Sequence, residues 1–210
     1  MAKGLPTQPG LSFKTSPDRN MSATAAASRR LILALILLFT ACDELLIPTD
    51  FEPTGSPFSL NPGITLIAIA GDRHHFSPNG LYSLALVARA NNSAYASDTL
   101  PGGLLFTSSR NSTQHMIMLK DHPVTFSTNN TTVVLGVFCC NRRRLIPAES
   151  DTFTLGPLTD NPELRQLAEM VRHKRISENL GMVQRAVWMV TDSTGLTQAY
   201  IDSIRALPDE

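Results

Sequence analysis

Two residues in this chain have side chains that could react with each other. Cys139 lies in the run Val133–Asn141, Val-Val-Leu-Gly-Val-Phe-Cys-Cys-Asn, and Gln184 lies in Val183-Gln184-Arg185-Ala186-Val187-Trp188. A cysteine thiolate can attack a glutamine carboxamide. The sulfur–carbon bond forms, the carbon–nitrogen bond breaks, ammonia leaves and a thioester remains. That reaction needs close approach, a dry pocket and help for the departing amine. A cysteine at the end of an apolar strand, facing a glutamine beside an apolar helix stripe and one turn before Trp188, fits those needs. Plainer readings of the same residues stand beside it. Gln184 is then a boundary residue hydrogen-bonded to backbone, and Cys139 and Cys140 are small hydrophobes. A vicinal disulfide is permitted by an oxidising exterior, but adjacent side chains on a strand point to opposite faces, which opposes it.

The elements that would position the pair read as two blocks. The first is β-like. Gly63–Ala70 is an apolar run, Gly71–Gly80 is turn-rich, and Leu81–Ala90 is a second apolar run. Asn91–Gly103 reads as loop. Shorter strands are expected at Leu104–Ser108, Gln114–Leu119 and Val124–Ser127. After the Asn129-Asn130 turn, Thr- and Val-rich sequence runs from Thr131 to Cys140. Short strands separated by turn residues predict a β-sandwich. The second block is helical. Asn161-Pro162-Glu163 is a helix start, since Asn caps, Pro fits the first turn and Glu suits the positive end. Leu164, Leu167, Ala168 and Val171 then form one apolar face. Further helices are expected at about Leu180–Val190 and Leu196–Leu207, separated by Ser193-Thr194-Gly195. The fold class is therefore α+β: a β-sandwich followed by three C-terminal helices sharing one core, over residues 61–210.

On these motifs the second half of the chain resembles the thioester domains of bacterial surface adhesins. Their pattern is an aromatic or Leu, then Cys, then an apolar residue, and later apolar-Gln-x-apolar-apolar. Here these are Phe138-Cys139-Cys140 and Val183-Gln184-Arg185-Ala186-Val187. The resemblance implies a nucleophile at Cys139 and an acyl partner at Gln184, with Phe138 and Trp188 supporting the bond, and covalent capture of amines on a partner surface. The interval between the two motifs is much shorter than in the adhesins, and Cys140 stands where an aliphatic residue is usual.

The N-terminal quarter carries a destination. Arg29-Arg30 precedes the apolar run Leu31–Ala41, and small residues lead to Cys42. That is the layout of a secretory signal, and the run is too short to span a bilayer, which takes roughly 20 apolar residues. Phe39-Thr40-Ala41-Cys42 resembles a bacterial lipobox, with Phe39 where Leu is usual. The resemblance makes Cys42 the lipidated N-terminus of the mature protein, anchored by acyl chains that contribute ~0.8 kcal/mol per buried CH₂. Residues 1–20 are then a disordered leader or lie ahead of the true start at Met21, residues 21–41 are the signal peptide, and residues 42–60, with Pro48, Pro53 and Pro57, are a Pro-rich tether.

Charge and motif content remove several classes. The 18 basic and 18 acidic residues balance to a net charge of zero, whereas a nucleic-acid binder needs a basic surplus. The chain contains no C-x-x-C, G-x-S-x-G, P-loop or H-E-x-x-H pattern. No cofactor and no metal site is expected. His74, His75, His115, His122 and His173 are read as exposed, Arg142-Arg143-Arg144 as a solvated loop, and the Asn-x-Ser/Thr triplets as polar turns. The leading expectation is an exported, lipid-anchored cell-envelope module without catalytic turnover, whose partner is a membrane-proximal surface protein or glycan. A covalent adhesin is second. A metal-dependent or other hydrolase using the histidines is third.

Overall fold

The computed structural model describes residues 50–192 and 194–210. The leader, the signal segment, Cys42, the first residues of the expected tether (42–49) and Ser193 lie outside the described residues. The described residues form one compact unit.

Nine strands and three helices follow in order among the described residues. The strands are β1 (Gly55–Ser56), β2 (Ile64–Asp72), β3 (Tyr82–Ala90), β4 (Tyr95–Leu100), β5 (Leu104–Ser108), β6 (Met116–Ile117), β7 (His122–Ser127), β8 (Thr131–Cys139) and β9 (Phe153–Thr159). The helices are α1 (Pro162–Val171), α2 (Leu180–Thr191) and α3 (Gln198–Arg205). Seven strands form one antiparallel sheet in the order β1-β9-β5-β6-β8-β3-β2, and β4 pairs with β7 as a second sheet. The large sheet curls until Ala70, near the end of β2, bridges Thr152 just ahead of β9. This is the expected α+β architecture, with a β-rich core and the helices at the C-terminal end.

Alternation along the central strands builds two apolar layers. Leu104, Phe106, Met116, Met118, Val137 and Cys139 face the inside of the curl, with Leu84, Leu86 and Phe126. Their sequence neighbours Leu105, Ile117, Leu119, Phe138 and Cys140 face the helices and meet Leu164, Leu167, Val171, Val183, Val187 and Ile204. Successive strand side chains take opposite faces, so β5, β6 and β8 are buried on both sides. Each fully buried Leu, Ile or Phe in these layers contributes roughly 1.5–3 kcal/mol relative to exposure.

The helix signals act as read. Asn161 Oδ1 accepts the N–H groups of Glu163 (3.0 Å) and Leu164 (3.1 Å), with Pro162 in the first turn. Glu163 Oε1 accepts the Leu196 N–H at 3.1 Å, tying the start of α1 to the approach to α3.

Three strands lie where no strand is expected. β4 occupies the Asn91–Gly103 loop; of its residues only Leu100 is fully buried, so it offers almost no apolar pattern. β9 falls between Asn141 and Asn161, where no element is expected, and contains Gly156-Pro157. The pair sits where the β5–β9 register shifts opposite Leu105, and bulges are where strands accept Gly and Pro. β1 falls within residues 42–60: Gly55 and Ser56 pair with Thr159 and Leu158. Gly55 has φ +148°, and a Cβ there would lie 1.9 Å from the Leu158 carbonyl oxygen. Phe51 packs on the helix-side core, and Phe58 and Leu60 on the inner one. The packed domain thus begins ahead of residue 61, because these apolar side chains between the prolines find partners.

Candidate functional site

β3 and β8 run side by side from Ala88↔Thr131 to Tyr82↔Val137. If the ladder continued, Gly80 would face Cys139. It does not continue: the chain turns across β8, so close that a Cβ on Gly80 would lie 2.0 Å from the Val137 nitrogen. The N–H and C=O of Cys139 are therefore left without a strand, in a buried place where an unpaired backbone group costs about 1–3 kcal/mol.

Gln184 fills that gap. Its Oε1 accepts the Cys139 N–H at 2.8 Å, and its Nε2 donates to the Cys139 carbonyl oxygen at 2.8 Å. The carboxamide does the work of one more residue of β3. α2 places it there because Leu180, Val183, Ala186, Val187 and Val190 bury one face of the helix, and Gln184 is the amide on that face, only 1 % exposed.

The structure thus brings the two predicted residues together, through the backbone of one and the side chain of the other. Strand side chains leave the sheet roughly perpendicular to its hydrogen bonds. A carboxamide bonded to both backbone groups of Cys139 lies beside the strand, while the thiol leaves it toward the inner apolar layer. Cys139 and Cys140 are both buried free cysteines, on opposite faces of the sheet. Burial pushes the Cys139 thiol far above its ordinary pKa, and burial with Cys139 alongside does the same to Cys140. A thiol held protonated in apolar surroundings is a poor nucleophile. The two supporting residues divide: Trp188 packs against the layer that holds Cys139, whereas Phe138 is on the helix side with Cys140.

Around the end of β8, further side chains complete the backbone. Asn141 Oδ1 accepts the His115 N–H (3.1 Å), and its Nδ2 donates to the Phe51 carbonyl (2.8 Å). His115 Nδ1 accepts the Ser108 N–H at 3.1 Å. Its Nε2 lies 3.0 Å from Arg144 Nη1 and 3.8 Å from Glu52 Oε2. Burial and then the Arg144 charge hold this imidazole below its usual pKa, with Glu52 and Asp50 pulling the other way. Arg144, 12 % exposed at its side chain, also reaches Asp50 (3.2 Å) and Glu52 (3.3 Å). His115 and Arg144 therefore depart from the solvated roles expected of them. For His115 the available signal was its place in the apolar run Gln114–Leu119; for Arg144 the sequence offered none.

The other histidines do not converge. His75 Nδ1 pairs with Asp72 Oδ2 at 2.8 Å and His74 Nε2 with Glu149 Oε1 at 3.0 Å. Burial alone would raise the Asp72 carboxyl, but the hydrogen bonds from His74 and His75 prevail and hold it below its ordinary value. His122 is half-buried and His173 exposed. Among the described residues, no three His, Cys, Asp or Glu side chains are grouped to hold a metal ion. Likewise, no described helix is long and apolar enough to cross a membrane.

Compared with known proteins, the chain matches no family model, no curated protein and no solved structure.

Proposed function

We propose that the chain is a lipid-anchored protein of the cell envelope whose β-rich domain is an interaction or structural module without catalytic turnover. The observation that favours a non-covalent module over a covalent one is the state of the Cys139–Gln184 pair. Both polar ends of the Gln184 carboxamide are spent on backbone, and the thiol beside it is buried and protonated. The anchoring part rests on Arg29-Arg30, Leu31–Ala41 and Cys42. Export of such a chain would present the domain outside the cytoplasm, where a surface protein or glycan is the partner class at hand.

A second reading has one specific observation in its favour. The Gln184 carboxamide lies against Cys139 in a dry site, and proximity is the larger part of what thioester formation requires. The thiol would have to lose its proton to the departing amine and swing toward the carboxamide carbon. A covalent adhesin would result.

The intact mass of the full chain, unfolded without reductant, separates the two. The module predicts the unmodified sequence mass of the chain as processed, once any signal cleavage and lipid are accounted for. A deficit of one ammonia, absent from Cys139→Ala and Gln184→Ala, would sink it in favour of the thioester. Labelled palmitate tests the anchor. Incorporation should be lost in Cys42→Ala, and equal labelling of both chains would remove the lipoprotein reading.

A further inference from the structure

Where the chain past β8 meets α2 and α3 the surface opens into a cleft of about 720 Å³, within the usual range for small-molecule sites. Arg142, three residues past Cys139, lines it with Arg185 and Trp188 from α2, Met189 beside them, Asp192 at the helix end and Tyr200 from α3. The cleft is thus walled by chain neighbours of both clamp residues.

Its chemistry is unbalanced in one direction. Among the described residues Arg142 and Arg185, like most of the chain's other arginines, have no carboxylate within ion-pair distance, unlike Arg110, Arg144 and Arg172; what sets these two apart is that both line one cleft. The Arg142 guanidinium stands over the Trp188 ring, 5.8 Å from its centroid, a cation–π contact that holds the charge at the cleft wall. The Trp188 indole N–H is itself buried and has no acceptor among the described residues, so the ring meets the cleft by its apolar surface. Asp192 is the cleft's single acid. Its carboxyl is pushed up by partial burial, an effect opposed by Arg142 and Arg143. Two arginines against one carboxyl, beside an indole and a thioether, leave the cleft with an excess of positive charge next to apolar surface.

We propose that this cleft binds a small organic carboxylate bearing a flat apolar group, its acid paired with Arg142 and Arg185 and its apolar part against Trp188 and Met189. Arginine suits a carboxylate because its planar fork can donate two parallel hydrogen bonds. The site depends on neither acylation of Cys42 nor a bond between Cys139 and Gln184.

Trp188 is the chain's single tryptophan, so its emission reports on the cleft without a label. The full-length chain is titrated with phenylacetate, with its uncharged analogue phenylacetamide, and with phosphatidylglycerol vesicles. Calorimetry repeats each titration. Phenylacetate should give a saturable change, phenylacetamide should bind at least about tenfold more weakly, and Arg142→Gln and Arg185→Gln should each weaken phenylacetate by about tenfold, the scale of one charge-assisted hydrogen bond. Both arginines are exposed, so the variants should keep the wild-type thermal midpoint. Absence of saturation, equal binding of the amide, or indifference to both substitutions would overturn the proposal. So would a response to the vesicles alone, which would make the cleft part of a lipid-facing surface.

Discussion

The two halves of β8 meet the same demand with different parts. From Thr131 to Val137 the backbone is paired by β3, residue against residue. At Cys139 a side chain does the pairing, and Asn141 and His115 do likewise for neighbouring backbone. A ladder tolerates change, because almost any residue supplies an N–H and a C=O. A clamp made by one carboxamide does not, because only Gln184 combines that reach with a donor and an acceptor. The same amino-acid type that invites a covalent reading is required here by plain hydrogen-bond completion.

Substitutions can break this contrast. Gln184→Ala should have the largest effect. It leaves two buried backbone groups unpaired and opens a cavity, a loss of roughly 3–5 kcal/mol. At about 2–4 °C per kcal/mol for a domain of this size, the thermal midpoint should fall by roughly 10 °C or more. Asn141→Ala strands the His115 N–H and the Phe51 carbonyl, nearer the surface, and should cost about 2 kcal/mol in denaturant melts. Thr132→Ala lies in the strand-paired half with its side chain exposed, and should stay within about 0.5 kcal/mol of wild type. Equal losses at Thr132 and Gln184 would erase the distinction.

Acid gives an intermediate test at His115. A neutral imidazole has one lone pair, and the Ser108 N–H and Arg144 both point donors at the ring. Its folded pKa lies below its usual value near 6.5, so the unfolded chain takes up the proton first as pH falls. Stability from this site is complete above about pH 6.5 and is lost as pH drops toward the folded pKa. Denaturant midpoints should therefore decline between pH 7 and pH 5, and His115→Gln should flatten the slope. Some slope should remain from half-buried His122, which burial shifts in the same direction. An unchanged slope in His115→Gln would mean the imidazole is not held neutral.

Much of the frame was legible in the chain because it rests on periodicity. Apolar runs between turn residues marked β2, β3 and β5, and Thr- and Val-rich sequence marked β8; Asn161-Pro162-Glu163 and the Leu164–Val171 stripe marked α1; the spacing of Val183, Val187 and Val190 marked α2. β4 and β9 were hidden for physical reasons. β4 packs mainly against β7 rather than a core, so it carries polar residues, and β9 disguises itself with a Gly-Pro bulge. β1 was hidden by its two-residue length.

The pairing of Cys139 with Gln184 was readable as a candidate from residue types alone, since few buried helix positions carry a carboxamide. Its form was not. Whether the thiol or the peptide group meets the amide depends on the chain turning across β8 at Gly80, ahead of β3 and fifty-nine residues before Cys139 in sequence. Local pattern determined which faces are apolar and where helices start, because those follow from neighbours three or four residues apart. Only the tertiary fold decided which backbone groups lack a strand, which arginines lack an acid, and hence which polar side chains are occupied and which remain open to a ligand.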